Sequence, residues 1–175
     1  MSTKHKKTRS VDETTLSDKQ QRILRFLEDM PVGVLSTVSP DGDPHGVVIY
    51  FVVDGDFNVY FLTRDETRKY DNLKHHNHAM LTVFDPATHT IAQIIGRAKE
   101  IEDSYQINKI ANKMVQANFK VSEVDMPPIT KLDAGECVAF KIEPVQIRMA
   151  VYARPESGSY NELFESIESF NLRDD

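Results

Sequence analysis

The residues with the clearest chemical potential lie in one run, Thr63-Arg64-Asp65-Glu66-Thr67-Arg68-Lys69, where a predicted strand ends and a predicted helix begins. Helix N-termini present free N–H groups and a partial positive charge, and both favour binding of a phosphate. The two threonine hydroxyls can add hydrogen bonds, Arg68 can grip phosphate oxygens with two N–H groups, and Lys69 adds a point charge. The alternative is a solvated helix start, where Asp65 and Glu66 offset the dipole and pair with the cations. The run alone leaves both interpretations open.

Histidines provide the other candidate ligands. The segment KHHNH at the end of the same helix contains His75, His76 and His78, at a spacing compatible with a metal or haem ligand. No carboxylate or cysteine cluster lies beside them, and exposed histidines at a helix C-terminus also suit the dipole, so we predict no metal site. His45 begins a strand beside the predicted cleft and is either a ligand contact or a surface residue. No paired carboxylates and no Ser-His-Asp set stand out, so the catalytic residues stay unidentified.

The elements that must position these residues begin with three consecutive strands. Residues 32–39, 45–53 and 58–63 are rich in β-branched and aromatic side chains. Asp41-Gly42 and Asp54-Gly55-Asp56 between them are turn signals, so the pattern predicts an antiparallel meander. The middle strand is nearly continuously apolar, which predicts cover on both of its faces.

The rest of the chain adds helices around further strands. Ser17 and Gln20 form a capping-box signal for a first helix, which Pro31 ends. Periodicity predicts further helices over 64–76, 104–119 and 160–170, and further strands over 79–85, 90–102 and 136–152. Because most strands are consecutive instead of alternating with helices, we predict a mainly β protein with peripheral helices (α+β), built on a closed or partly closed antiparallel barrel.

Composition indicates one soluble domain. The chain has 175 residues, and its 27 acidic and 21 basic side chains give a net charge of −6, which disfavours nucleic-acid binding. No apolar run approaches a membrane span, and one cysteine excludes an internal disulfide, so we expect a cytoplasmic protein. We predict a disordered basic tail over 1–16, the barrel domain over 17–155, and a C-terminal helical extension over 156–175.

The ordered set of motifs resembles the pyridoxamine 5'-phosphate oxidase-like superfamily, the FMN-binding split barrels. The stretch GVLSTVSPDGDPHGVVIYFVVDGDFNVYFLTRDETRKYDNL carries most of the resemblance. Its matching features are the small polar first strand, the Asp-Gly turn, the strand after a proline, the strand ending in threonine and the Thr-Arg-Lys helix start, found here as Leu35–Val38, Asp41-Gly42, Pro44–Val53, Phe61–Thr63 and Thr67-Arg68-Lys69. The later segment QIIGRAKEIED resembles the family's long strand with its Gly-Arg-Ala segment, and KIEPVQIRMAVY resembles the family's last strands.

This resemblance implies a homodimer that binds FMN in clefts between its two subunits. It implies that the FMN phosphate contacts Thr67, Arg68 and Lys69, near Leu62 and Thr63. The isoalloxazine ring would lie along the strand that contains Val47, Val48, Ile49 and Tyr50. Gln93 is expected to make a polar contact with the cofactor.

The resemblance is to the broad superfamily instead of to the true pyridoxamine phosphate oxidases. Those enzymes carry an arginine on the strand after Pro44, where this chain has Val47 or a neighbour, and a C-terminal segment with tryptophan and arginine that NLRDD does not match. The resemblance therefore implies an FMN-dependent oxidoreductase with a small-molecule substrate that the sequence does not identify. A deazaflavin-dependent reductase on the same fold, or a non-catalytic flavin- or haem-binding protein, is the alternative.

Overall fold

The computed structural model describes residues 16–119, 137–154 and 163–172. In these ranges the chain forms three helices and eight strands. Their order along the chain is α1 (Asp18–Asp29), β1 (Val32–Val38), β2 (Pro44–Tyr50), β3 (Val52–Val53), β4 (Val59–Thr63), α2 (Arg68–His75), β5 (His78–Asp85), β6 (Thr90–Ile101), α3 (Ser104–Phe119), β7 (Val138–Tyr152) and β8 (Phe164–Asn171).

The strands form one antiparallel sheet that curls into a barrel. Their order across the sheet is β2-β1-β5-β6-β7-β4-β3, and β8 pairs with β7 outside this path. Because β3 follows β2 after the single residue Phe51, the same stretch of chain pairs with β1 at its start and with β4 at its end. The ring of strands therefore closes through this crossing segment. The architecture confirms the predicted mainly β fold with peripheral helices.

The barrel is split on one side, between β2 and the end of β4. Only Val59 and Tyr60 of β4 pair with β3, whereas Phe61–Thr63 pair with β7 alone among the described strands. β2 likewise pairs only with β1 there. Helix α2 begins at this opening, directly after β4. The candidate phosphate-binding run thus begins at the open side of the barrel.

The core lies inside the barrel and under α1. Ile23 and Leu27 of α1 are fully buried, as the helical periodicity predicts, and the helix starts with the expected capping box between Ser17 and Gln20. Inside the barrel the rings of Phe61 and Phe140 stack at 5.6 Å between centroids. A second, smaller apolar cluster packs α3 against the outside of β4 and β7, through Leu62, Ile110, Met114 and Ala139.

The strand predicted over 136–152 is present as β7. It continues through Pro144 because the β6–β7 register shifts between Ile95 and Gly96, which forms a bulge. The prediction of a helix over residues 160–170 was wrong. Residues Phe164–Asn171 form the strand β8, which adds to the sheet beside β7, so the described part of the 156–175 segment is not helical.

The predicted basic tail over 1–16 lies outside the described residues except for Leu16. No helix in the described ranges is long and apolar enough to cross a membrane.

Candidate cofactor site at the start of helix α2

The N-terminus of α2 is joined to the end of β4 by two threonines. Thr63, the last residue of β4, is buried, and its Oγ1 atom lies 2.9 Å from Oγ1 of Thr67, the N-cap of α2. The Thr67 hydroxyl also donates to the carbonyl oxygen of Arg64 at 2.8 Å. It therefore does not cap the helix, and the first-turn N–H groups receive no side-chain acceptor from it. These N–H groups can bind an anion.

Two cations begin the helix without carboxylate partners. Among the described residues, no ion pair includes Arg68 or Lys69. Glu66 lies 3.4 Å from Arg64, so the acids of the run do not neutralise these two side chains. Lys69 is half-buried, and this burial lowers the pKa of its ammonium group. The solvated helix start considered above therefore does not describe Lys69, whose charge is partly shielded from water and has no carboxylate partner within the described ranges.

Helix α2 is fixed against the barrel by its inward side. Asn72 is 1% exposed, and its side-chain N–H donates to Oγ1 of Thr37 on β1 at 2.9 Å. Leu73 is part of the core, and the Tyr70 ring packs edge-on against Phe140 at 5.9 Å. Lys69 lies one turn before Asn72 and Leu73, which explains its partial burial.

The β2 residues predicted to contact the cofactor alternate between two sides. Val47 and Ile49 pack into the core, whereas Val48 is 64% exposed on the outside of the barrel. Tyr50 points outward and packs, with Leu62 of β4, in the cluster beneath α3. The apolar side chains of β2 thus divide between the core, the outer surface and the cluster beneath α3.

Within one chain, Gln93 lies far from the β2 residues that were predicted to contact the cofactor with it. It is partly exposed on the outer side of β6, in a cross-strand row that runs from Val48 through Val34 and Thr82. Three strand spacings separate Gln93 from Val48, which is about 14 Å at ~4.8 Å per strand. Gln93 instead lines a cavity of about 130 Å³ with Arg148 and aromatic residues from β7 and β8.

The histidine cluster is exposed. His75 contacts its own helix, with Nδ1 3.1 Å from the carbonyl oxygen of Asp71. His76 and His78 lie at the surface around the start of β5. No group of three or more potential metal ligands occurs in the part of the chain that the structure describes.

Comparison with known proteins agrees with this geometry. Residues 20–149 match the family model for pyridoxamine 5'-phosphate oxidase. The chain belongs to this family. The matched range contains most of α1, the strands β1–β6, the helices α2 and α3, and most of β7. No curated protein sequence matches the chain.

Solved structures of pyridoxamine 5'-phosphate oxidase relatives share the split-barrel fold. A putative pyridoxamine 5'-phosphate oxidase from Listeria innocua is 26% identical, with a TM-score of 0.59 over 75% of this chain and 98% of that one. An FMN-binding protein from Nostoc punctiforme, related to the same oxidase, is 16% identical, with a TM-score of 0.57 over 92% and 100%. An F420 reductase is 23% identical, with a TM-score of 0.57 over 70% and 94%.

The sequence analysis of this oxidase-family chain missed one polar residue beside the candidate site, Asn72, and left the role of a second, His45, open. The burial of Asn72 could have been found from its helical spacing to Lys69, because both share the inward side of α2. For His45 the sequence offered two alternatives, a ligand contact or a surface residue. Its Nδ1 atom is buried and has no hydrogen-bond partner among the described residues, and no sequence signal reveals that.

Proposed function

We propose that this chain is an FMN-dependent oxidoreductase that binds the FMN phosphate at the start of α2. The observation that carries the proposal is the half-buried Lys69, without a carboxylate partner in the described structure, at an uncapped helix N-terminus beside the barrel opening. A dianionic phosphate would neutralise Lys69 and Arg68 and accept hydrogen bonds from the backbone N–H groups of these two residues at the start of the helix. The family match and the FMN-binding relative support this choice of ligand.

The charged, hydroxyl and apolar side chains near the start of α2 are of the types that an FMN cofactor needs. Thr67, Arg68 and Lys69, with Thr63 next to them, would hold the phosphate. The segment Val47–Tyr50, with Leu62, would offer an apolar and backbone surface to the ring. When bound, FMN supplies the hydride or electron transfer, whereas the protein supplies position and electrostatics. Because the anchoring cations hold the phosphate end, their loss should weaken binding before it alters the chemistry.

We also propose that the active form is a homodimer. The outer side of β1, β2, β5 and β6 exposes an unusually apolar surface that includes Val32, Val34, Val48, Phe84 and Ile95. Exposed patches of this kind on a soluble protein mark contact surfaces. Gln93 lies on this same outer side, so its proposed cofactor contact would be made to FMN bound mainly by the second subunit.

A deazaflavin is the second candidate cofactor. The F420 reductase among the structural relatives favours it, and the cations at α2 would serve its phosphate equally well. The two cofactors differ in their ring and in the rest of the molecule, so binding can separate them. We expect FMN to bind more tightly.

The test is a pair of equilibrium titrations, one with FMN and one with a deazaflavin, on the unchanged protein and on Arg68→Met/Lys69→Met. We expect the double variant to bind FMN at least tenfold more weakly, since it loses two charge-assisted contacts. The matched control is Lys109→Met/Lys113→Met, which removes the same charge from exposed positions on α3. Equal FMN affinity in both double variants would rule out the α2 site, and tighter deazaflavin binding would replace FMN by the second candidate.

A further inference from the structure

The inward side of β2 carries one polar side chain. His45 alternates with outward residues in the same way as Val47 and Ile49, but only the two aliphatic residues pack into the apolar core. The Nδ1 atom of His45 is shielded from solvent and lacks a hydrogen-bond partner among the described residues. Native structures rarely leave a buried polar atom unpaired, and a water, ion or ligand usually accounts for it.

Three contacts place His45 at the same end of the barrel as the first turn of α2. His45 lies opposite Thr37 in the β1–β2 register, and Thr37 Oγ1 is 3.5 Å from the His45 carbonyl oxygen. The same Oγ1 accepts the hydrogen bond from Asn72 of α2. Asn72 is three residues after Lys69, so their side chains are neighbours on the helix. The backbone of His45 is therefore linked through Thr37 and Asn72 to the helix that carries Lys69, one turn from that residue.

We propose that Nδ1 of His45 donates a hydrogen bond to the anionic group held at the start of α2. The proposal rests on the proposed function, which makes this group the phosphate of FMN. A histidine donates from Nδ1 when it is charged, and also in the neutral tautomer that carries its proton there. Arg68 and Lys69 approach the phosphate from the helix, and His45 approaches it from β2. Two elements on opposite sides of the split would thus fix its position.

This role makes His45 a residue for cofactor selectivity. Its hydrogen bond exists only when the ligand carries the phosphate, so it stabilises FMN and not riboflavin, which has the same ring and side chain but ends in a hydroxyl. A residue that merely packs the barrel end would affect both ligands equally. The ratio of the two affinities therefore separates a phosphate contact from a structural role.

The experiment measures FMN and riboflavin affinities, by quenching of flavin fluorescence, for the unchanged protein and for His45→Leu, His45→Asn and His45→Gln. We expect His45→Leu to weaken FMN binding about tenfold with riboflavin unchanged, as for loss of one charge-assisted hydrogen bond. The amide nitrogen of asparagine can take the place of Nδ1, so His45→Asn should recover most of the affinity. Glutamine places its amide nearer the Nε2 position and should recover little.

The matched control is His78→Leu, which removes an exposed imidazole from the same end of the barrel and should leave both affinities unchanged. Thermal unfolding identifies a variant that does not fold. If His45→Leu fails to fold, the comparison of the asparagine and glutamine variants decides, because equal FMN-to-riboflavin ratios in the two would overturn the proposal.

The remaining outcomes separate this inference from the proposed function. An unchanged protein that prefers FMN over riboflavin, with the same preference in His45→Leu, would overturn only the role of His45. An unchanged protein that binds both ligands equally has no phosphate site, and both proposals fail.

Discussion

Asn72 of α2 donates a hydrogen bond from its side chain to Oγ1 of Thr37 on β1, across 2.9 Å and 35 residues of sequence. Both residues are almost fully buried. This contact fixes the inward side of α2 to the barrel and thereby orients the helix N-terminus that carries Arg68 and Lys69. A phosphate site that relies on a helix end needs such a fixed helix, because the N–H groups must point at one place.

The Asn72–Thr37 hydrogen bond should contribute measurably to the free energy of unfolding. We expect Thr37→Val to lower the free energy of unfolding by about 1–3 kcal/mol, because it leaves the Asn72 amide buried without an acceptor. Thr37→Val/Asn72→Leu removes both polar partners and should cost less than the sum of the single changes. Urea unfolding of the four proteins in this double-mutant cycle measures the coupling. Strictly additive losses would show that the two residues do not stabilise each other.

Lys69 should lower the stability of the cofactor-free protein and raise its affinity for FMN. Burial lowers the pKa of its ammonium group, so at neutral pH the charged form opposes folding of the cofactor-free protein. That penalty falls as pH rises through the lowered pKa. We therefore expect Lys69→Met to raise the thermal midpoint of the cofactor-free protein while it weakens FMN binding, as measured by melting curves with and without FMN. A lower midpoint in the absence of FMN would contradict this account of Lys69.

The same pKa shift predicts the pH dependence of FMN affinity. As pH rises from neutral towards the lowered pKa, Lys69 loses its charge in the free protein and the affinity should fall. Lys69→Arg keeps its charge throughout this range and should lose less affinity. Titrations of the two proteins at the same pH cancel changes in FMN itself. Parallel losses in both proteins would show that Lys69 does not contribute its charge to the phosphate site.

Gly96 should tolerate no side chain. A Cβ atom at this bulge would overlap the carbonyl oxygen of Glu143 and lie 2.8 Å from Cγ2 of Ile142. We expect Gly96→Ala to lower the free energy of unfolding by about 2–3 kcal/mol because the β6–β7 ladder must shift. Gly55→Ala is the matched control, since a Cβ atom there would meet no atom within 4 Å and the backbone needs no left-handed conformation. Urea unfolding measures both variants. Equal losses of unfolding free energy in Gly96→Ala and Gly55→Ala would contradict the close approach at the bulge.

The outer apolar surface should hold two chains together. We expect Val34→Glu/Val48→Glu to produce a monomer, because it places carboxylates within a buried apolar contact. Light scattering should give twice 20.0 kDa for the unchanged protein and about 20.0 kDa for the variant. Tyr105→Glu, at a 77% exposed position on α3, is the control and should remain dimeric. A monomeric unchanged protein would exclude this interface and the cofactor contact proposed for Gln93.

Local patterns were sufficient to predict most of the fold. The turns at Asp41-Gly42 and Asp54-Gly55-Asp56, and the capping box at Ser17, depend on neighbouring residues only, and the strands and helix that they predict are present. The C-terminal segment was different. Leu163, Phe164, Ile167 and Phe170 have helical spacing, but pairing with β7 makes most of this segment a strand. That partner is distant in sequence, so no local pattern could identify it.

The part of the candidate site that lies in one short run of sequence could be predicted. Thr67, Arg68 and Lys69 adjoin one another, and the structure places them at a helix N-terminus as expected. The absence of a carboxylate partner for Lys69 in the described structure depends on how α2 packs, and the unpaired nitrogen of His45 depends on β1 and β2 together. The contact proposed between Gln93 and the cofactor would require a second chain. These properties arise from tertiary or quaternary contacts, which residue spacing does not encode.

The most direct test of the central claim is an absorbance spectrum of the purified protein after FMN is added and the excess removed by gel filtration. The chain has no tryptophan, so flavin bands stand out against a weak protein band. We predict that the unchanged protein retains equimolar FMN and that Arg68→Met/Lys69→Met, folded by circular dichroism, elutes nearly colourless. A colourless unchanged protein, or equal flavin retention by the double variant, would contradict an FMN phosphate site at the start of α2.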